Sequence, residues 1–165
     1  IGTAGATLVI IKNELLGKVS RTIPTMLDYR THIENESMFN TPSTVAVFTC
    51  LKSLEWLKSI GGVPAIQKIN EEKAKILYGE IDRNKLFRGT VETAEDRSFM
   101  NITFVMNENY KALEDEFLKF AQARGCEGLK GHRSVGGFRA STYNAVTIDD
   151  VKALTQAMKD FENSK

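Results

Sequence analysis

A chain segment that alternates apolar and polar residues buries one face only, so it needs strand partners at its edges and a covering layer on its apolar side. Residues 97–106 contain such a segment, with Met100, Ile102, Phe104 and Met106 on one side. The alternation predicts a half-buried strand. Four helical stretches supply the covering layer. Residues 42–60 carry an apolar stripe of Val45, Phe48, Leu51 and Leu54, with Gly61-Gly62 as the stop. Thr41 suits the N-cap of that helix and Pro42 its first position. A second helix is predicted from Val63-Pro64 to about Tyr78, ended by Gly79; Ile66, Ile69, Lys73 and Leu77 share a face with Ile76. The third is expected to be capped by Asn109 and to end at Gly125, with Tyr110, Leu113, Phe117, Phe120 and Ala121 as its stripe. Thr147-Ile148-Asp149-Asp150 resembles a capping box, and the last helix follows with Val151, Leu154, Met158 and Phe161 inward.

Shorter elements complete the pattern. Residues 6–11 are apolar and β-branched and read as a buried strand. Residues 14–17 read as a helical turn and 23–29 as extended chain. An edge strand is expected within 83–96, anchored by Leu86, Phe87 and Val91, a short strand at 126–129, and another at 137–143. The predicted class is α/β, an α+β sandwich in which helices cover a small, mainly antiparallel sheet. The first forty or so residues fit this layer poorly and read as the tail of another domain, which predicts a division into 1–42 and 43–165. The start, Ile1 followed by Gly2-Thr3-Ala4-Gly5, reads as the middle of a protein.

Composition narrows the function classes. The 165 residues carry 22 Lys plus Arg against 21 Asp plus Glu, a net charge of +1, so bulk electrostatics does not direct the chain to nucleic acid. No apolar run approaches membrane-spanning length, and no membrane partner is expected. Cys50, Cys126, His32 and His132 lie far apart in sequence, so no metal site is expected and thiols in a reducing cytoplasm are the default.

One stretch concentrates chemistry. Residues 131–141, Gly131-His132-Arg133-Ser134-Val135-Gly136-Gly137-Phe138-Arg139-Ala140-Ser141, hold two arginines, a histidine and three glycines. A guanidinium fork matches carboxylate or phosphate, and glycines let backbone come close to a ligand. An anion-binding segment is one reading; a solvated basic loop, with Arg139 in a structural ion pair, is the other. Asn40-Thr41-Pro42-Ser43 opens a helix, whose free N–H groups favour an anion.

The run Lys130 to Gly137, then Arg139-Ala140-Ser141 and Tyr143-Asn144-Ala145, resembles the C-terminal signature of the phosphoserine aminotransferases, class V enzymes of the fold type I pyridoxal-phosphate group. The resemblance extends from Gly2 to Phe161. It implies that 1–42 are the end of a large cofactor-binding domain, contributing a strand and loop, and that 43–165 are the small C-terminal domain, opening on a long linking helix. It implies pyridoxal 5'-phosphate as cofactor, glutamate and 3-phosphohydroxypyruvate as substrates, and phosphoserine and 2-oxoglutarate as products, in serine biosynthesis. By position Arg139 matches the α-carboxylate arginine, while His132 and Arg133 match the contacts to the substrate's phosphate. Asn40 and Thr41 match contacts to the phosphate of a cofactor held by the other subunit of a homodimer. Thr3 and Ser43 stand where the family usually has proline. The lysine that holds the cofactor is expected before Ile1, since Lys12 follows the first strand. Residues 1–165 alone are therefore expected to be inactive. A stand-alone anion-binding or regulatory module is the alternative.

Overall fold

The computed structural model describes residues 2–165. The chain falls into two compact units, one up to Ile60 and one of Gly61–Lys165.

The second unit is built on a three-stranded antiparallel sheet in the order β1 (Phe87–Gly89), β2 (Asn101–Met106), β3 (Phe138–Ser141). Register places Phe87 opposite Met106, Phe104 opposite Phe138, and Thr103 opposite Arg139. The alternation expected in β2 is present: Ile102, Phe104 and Met106 are buried, and Asn101, Thr103 and Val105 face the other way. Three helices cover the buried face, α3 (Gly62–Arg83), α4 (Glu114–Gln122) and α5 (Ile148–Asn163). Aromatic rings fill the space between. Phe117 of α4 lies with its ring centroid 4.7 Å from that of Phe87 and 5.2 Å from that of Phe138, both edge-to-face, which adds to the burial itself.

Several helix ends differ from expectation. Gly79 does not end α3, which runs on to Arg83. Leu77, Tyr78 and Ile81 are buried, and their packing carries the helix through a residue of poor propensity. The true stop is Asn84, whose side chain donates to Glu80 at 2.9 Å and accepts from the Leu86 N–H at 3.0 Å. The third helix opens as a 3₁₀ turn, Glu108–Leu113, preceded by Asn107 rather than capped by Asn109. Asn107 instead donates to the carbonyls of Lys85 and Phe87. Residues 126–129 form no strand; a single antiparallel bridge pairs Lys130 with Phe138. The capping box of α5 is present, with Thr147 and Asp150 bonding reciprocally.

In the first unit, 3₁₀ turns at Asn13–Leu15 and Thr25–Leu27 precede α1 (Tyr29–Glu34) and α2 (Thr44–Ser59). Residues 23–29 are thus not simply extended, because Asp28 caps α1 by accepting from the Arg30 N–H. Ser43, not Thr41, occupies the N-cap of α2, and Pro42 precedes it. Residues 6–11 are not a buried strand. They pair with no strand among the described residues, and Leu8 and Ile10 are 77% and 89% exposed. A strand requires a neighbour to take its backbone groups. The stripe of Val45, Phe48, Leu51 and Leu54 is likewise exposed, and only Ala46 of α2 is buried.

Two outcomes follow for the second unit. A Cβ added at Gly79 meets nothing within 4 Å, so Gly79→Ala is expected to raise stability by about 0.5–1 kcal/mol in urea unfolding. Glu162 accepts from the Lys85 N–H at 2.8 Å and from Arg83 at 2.8 Å. Burial pushes its carboxyl up, but these partners outweigh burial and hold it below the ordinary glutamate range. Its contribution is therefore complete above about pH 4.3, the unfolded value, and is lost as pH falls through the lower folded value. Glu162→Gln should flatten the acid limb of the melting temperature measured against pH.

Candidate functional site

The chemistry-rich stretch forms a tight loop leading into β3. The Gly131 N–H donates to the Gly137 carbonyl at 2.8 Å and closes the loop. Inside it, the His132 carbonyl accepts from the N–H groups of Val135 and Gly136 at 3.0 and 2.9 Å. The His132 ring nitrogen Nδ1 lies 2.7 Å from the Ser134 hydroxyl, which orients the imidazole. Two glycines are dictated by geometry. A Cβ at Gly131 would sit 2.1 Å from the Gly136 carbonyl oxygen. Gly137 has φ +64, and a Cβ there would lie 2.6 Å from Val105 Cγ1 and 2.9 Å from the Phe104 carbonyl oxygen. The loop base is thereby pressed onto β2.

Arg139 is the second residue of β3. Its neighbours Phe138 and Ala140 are buried, so Arg139 points to the outer face of the sheet, opposite Thr103. On the same face the Tyr143 hydroxyl donates to Asn101 Oδ1 at 3.1 Å. Arg133, in the loop, is also exposed. Neither guanidinium has a hydrogen-bond or ion-pair partner among the described residues. The ion-pair alternative for Arg139 thus finds no acid. His132 and Arg133 lie in the closed loop that leads directly into β3, and Arg139 is the second residue of that strand. Each open guanidinium fork has the donor geometry to receive a carboxylate or phosphate.

Asn40 and Thr41 lie in the first unit, exposed, just before α2. Asn40 Nδ2 contacts Met26 Sδ at 3.3 Å. Ser43 makes no side-chain cap bond, so the first N–H groups of α2 are left without a side-chain acceptor. This neutral donor set suits a phosphate. Cys50 and Cys126 are not disulfide-linked. Burial pushes the Cys126 thiol up, against a smaller pull from Arg124, which disfavours a nucleophilic thiolate. No helix among the described residues is long and apolar enough to cross a membrane.

Sequence reasoning left one residue of this region without a role. Lys73 of α3 is fully buried, and its ammonium donates to the carbonyls of Thr142, Tyr143 and Val146, directly after β3. Burial pushes its pKa down, with Asp150 acting in the opposite sense. The available signal was a lysine on an otherwise apolar helix face.

Comparison with known proteins places the chain in a family. The sequence profile of the aminotransferase class-V family matches residues 1–154. Phosphoserine aminotransferases of Azobacteroides pseudotrichonymphae and Phocaeicola vulgatus are each 58% identical to the chain over 162 residues, 98% of its length. The chain spans about half of those relatives, 45% and 46%. The solved phosphoserine aminotransferase from Bacillus circulans subsp. alkalophilus superposes with a TM-score of 0.85 at 40% identity, over 93% of this chain and 42% of that one. A Trichomonas vaginalis phosphoserine aminotransferase solved with PLP bound gives 0.77 at 40% identity, over 86% and 40%.

The loop geometry has a direct test. Gly131→Ala and Gly137→Ala are each expected to cost about 1–3 kcal/mol in denaturant unfolding, because each Cβ meets backbone that cannot yield. Faster proteolysis within 131–137 is expected to accompany the loss.

Proposed function

The chain belongs to the aminotransferase class-V family, and from that premise we propose that the whole protein is a phosphoserine aminotransferase using pyridoxal 5'-phosphate. It would exchange the amino group of glutamate with the oxo group of 3-phosphohydroxypyruvate, giving 2-oxoglutarate and phosphoserine. The observation that carries this reading is Arg139, an exposed guanidinium without an acid partner among the described residues, held on a strand six residues after a second such guanidinium, Arg133, in the loop that leads into that strand. All four compounds carry an α-carboxylate, and all carry a second anionic group, phosphate or carboxylate. Arg139 would receive the α-carboxylate through its planar fork. His132 and Arg133 would receive the distal group, the loop's glycines holding them in place.

The bound cofactor would supply the electron sink for amino-group transfer. Asn40, Thr41 and the uncapped start of α2 fit its phosphate by donor chemistry. We read them as serving the cofactor of the other subunit, which makes the protein a homodimer. In the same reading residues 1–42 belong with the cofactor-binding domain, 43–165 form the small domain, and the enzyme acts in the cytoplasm on serine biosynthesis.

Half-reaction kinetics of the whole protein test the assignment. A charge-assisted hydrogen bond is worth about 1.5–3 kcal/mol, roughly ten- to a hundredfold in rate or binding. Arg139→Ala should lower kcat/KM by that factor for phosphoserine and glutamate alike, and Arg139→Lys should recover little. Arg133→Ala should reduce phosphoserine turnover more than glutamate turnover. Equal losses for both donors in Arg133→Ala, or none in Arg139→Ala, would remove the assignment.

A further inference from the structure

We infer that Lys73 is a positioning residue for the carboxylate-binding arginine: by tying residues 142–146 to α3, it fixes the exit of β3 and with it the backbone from which Arg139 projects. The inference rests on the reading of Arg139 as the α-carboxylate clamp.

The geometry is specific. Lys73 Nζ lies 2.9 Å from the Thr142 oxygen, 2.9 Å from the Tyr143 oxygen and 3.0 Å from the Val146 oxygen. Every ammonium proton is used, and all three acceptors come from one five-residue segment. No carboxylate touches the ammonium among the described residues. A buried cation is costly, so its presence on this helix face calls for a partner set that an apolar side chain cannot replace. What an apolar residue cannot do is satisfy three inward carbonyls. One turn earlier on α3, Asn70 Nδ2 donates to Asn144 Oδ1 at 3.0 Å, so two side chains of one helix hold the same segment.

That segment governs β3. The strand lies at the edge of the sheet and is four residues long. On its open side the Arg139 N–H donates to the Leu129 carbonyl at 2.7 Å, and no backbone partner follows along that edge. Beyond Ser141, the strand's course is set by the Thr142 N–H donating to the Met100 carbonyl at 2.9 Å and by the Lys73 clamp. Tyr143 links the two sides of the sheet. Its carbonyl is held by the buried lysine, and its hydroxyl reaches Asn101 on the outer face, beside Thr103 and Arg139. Without the clamp, the exit of β3 keeps the Thr142–Met100 bond and the Asn70–Asn144 bond but loses its tie to three carbonyls at once.

A double-mutant cycle in the whole protein separates this role from general stabilisation. Lys73→Met is expected to lower kcat/KM about tenfold for phosphoserine and glutamate alike, mainly through KM, within the hundredfold that a 1 Å misplacement can cost. In an Arg139→Ala background the same substitution should change kcat/KM by less than about twofold, because residues acting through one another are non-additive. If Lys73→Met does not fold, Asn70→Ala, which leaves the buried ammonium in place, is expected to show the same pattern at a smaller factor. An equal factor in both backgrounds overturns the positioning role while leaving the clamp reading intact. If Arg139→Ala itself leaves both amino acids unaffected, the clamp reading falls and this inference falls with it.

Discussion

Phe104 sits directly opposite Phe138, with ring centroids 5.0 Å apart, and most of the second unit depends on that pairing. Side chains alternate along a strand, so a slip of one residue would exchange the two faces. Phe138 and Ala140 would turn outward and Arg139 would enter an apolar core. The aromatic layer between sheet and helices makes that slip prohibitive, since Phe87, Phe117 and Phe138 pack edge-to-face across it. The outward aim of Arg139 is thus a consequence of core packing two residues wide. Arg139 and the core residues are neighbours in sequence for a physical reason: one strand serves both through its two faces.

The sequence was most legible where a local rule and tertiary packing agree. The period-2 pattern of β2 and the Thr147–Asp150 capping box are decided by residues a few positions apart, and both are present. It was least legible where a long-range partner decides. Gly79 is a reasonable helix stop by propensity, yet the burial of Leu77 and Ile81 on the same helix overrides it. The apolar run at 6–11 has the composition of a strand, but strand character depends on a neighbour, and none lies among the described residues. Thr41 and Ser43 are both competent N-caps. Which one begins α2 depends on backbone path, which composition does not encode.

The candidate site divides along the same line. His132, Arg133 and Arg139 stand out from sequence because charge and glycine are rarely so concentrated, and the long match to a known signature assigned each a place. The sequence marked the glycines as a group without separating their duties. Gly131 is required by a carbonyl oxygen and Gly137 by β2, contacts visible only after folding. Lys73 was seen as a member of a helix face but not as an anomaly on it, because its carbonyl acceptors lie some seventy residues later in the chain.

Near-neutral net charge makes the two open guanidiniums more informative. With 22 basic and 21 acidic residues, most arginines are expected to find acids, and most do. Arg30 pairs with Asp28, Arg83 with Glu80 and Glu162, Arg88 with Glu108, Arg97 with Asp82, and Arg124 with Asp160. Among the described residues, Arg21, Arg133 and Arg139 have no such partner. Arg21 lies in an irregular segment of the first unit. Arg133 and Arg139 are six residues apart, on a loop closed by its own backbone and on a strand locked in register. A solvated surface arginine gains nothing from a rigid backbone, since its long side chain samples water freely. Rigidity beneath an unpaired fork lowers the entropy lost when a planar anion docks. That combination, rather than the positive charge itself, is what would set the proposed binding site apart from a basic surface in a chain whose net charge is close to zero.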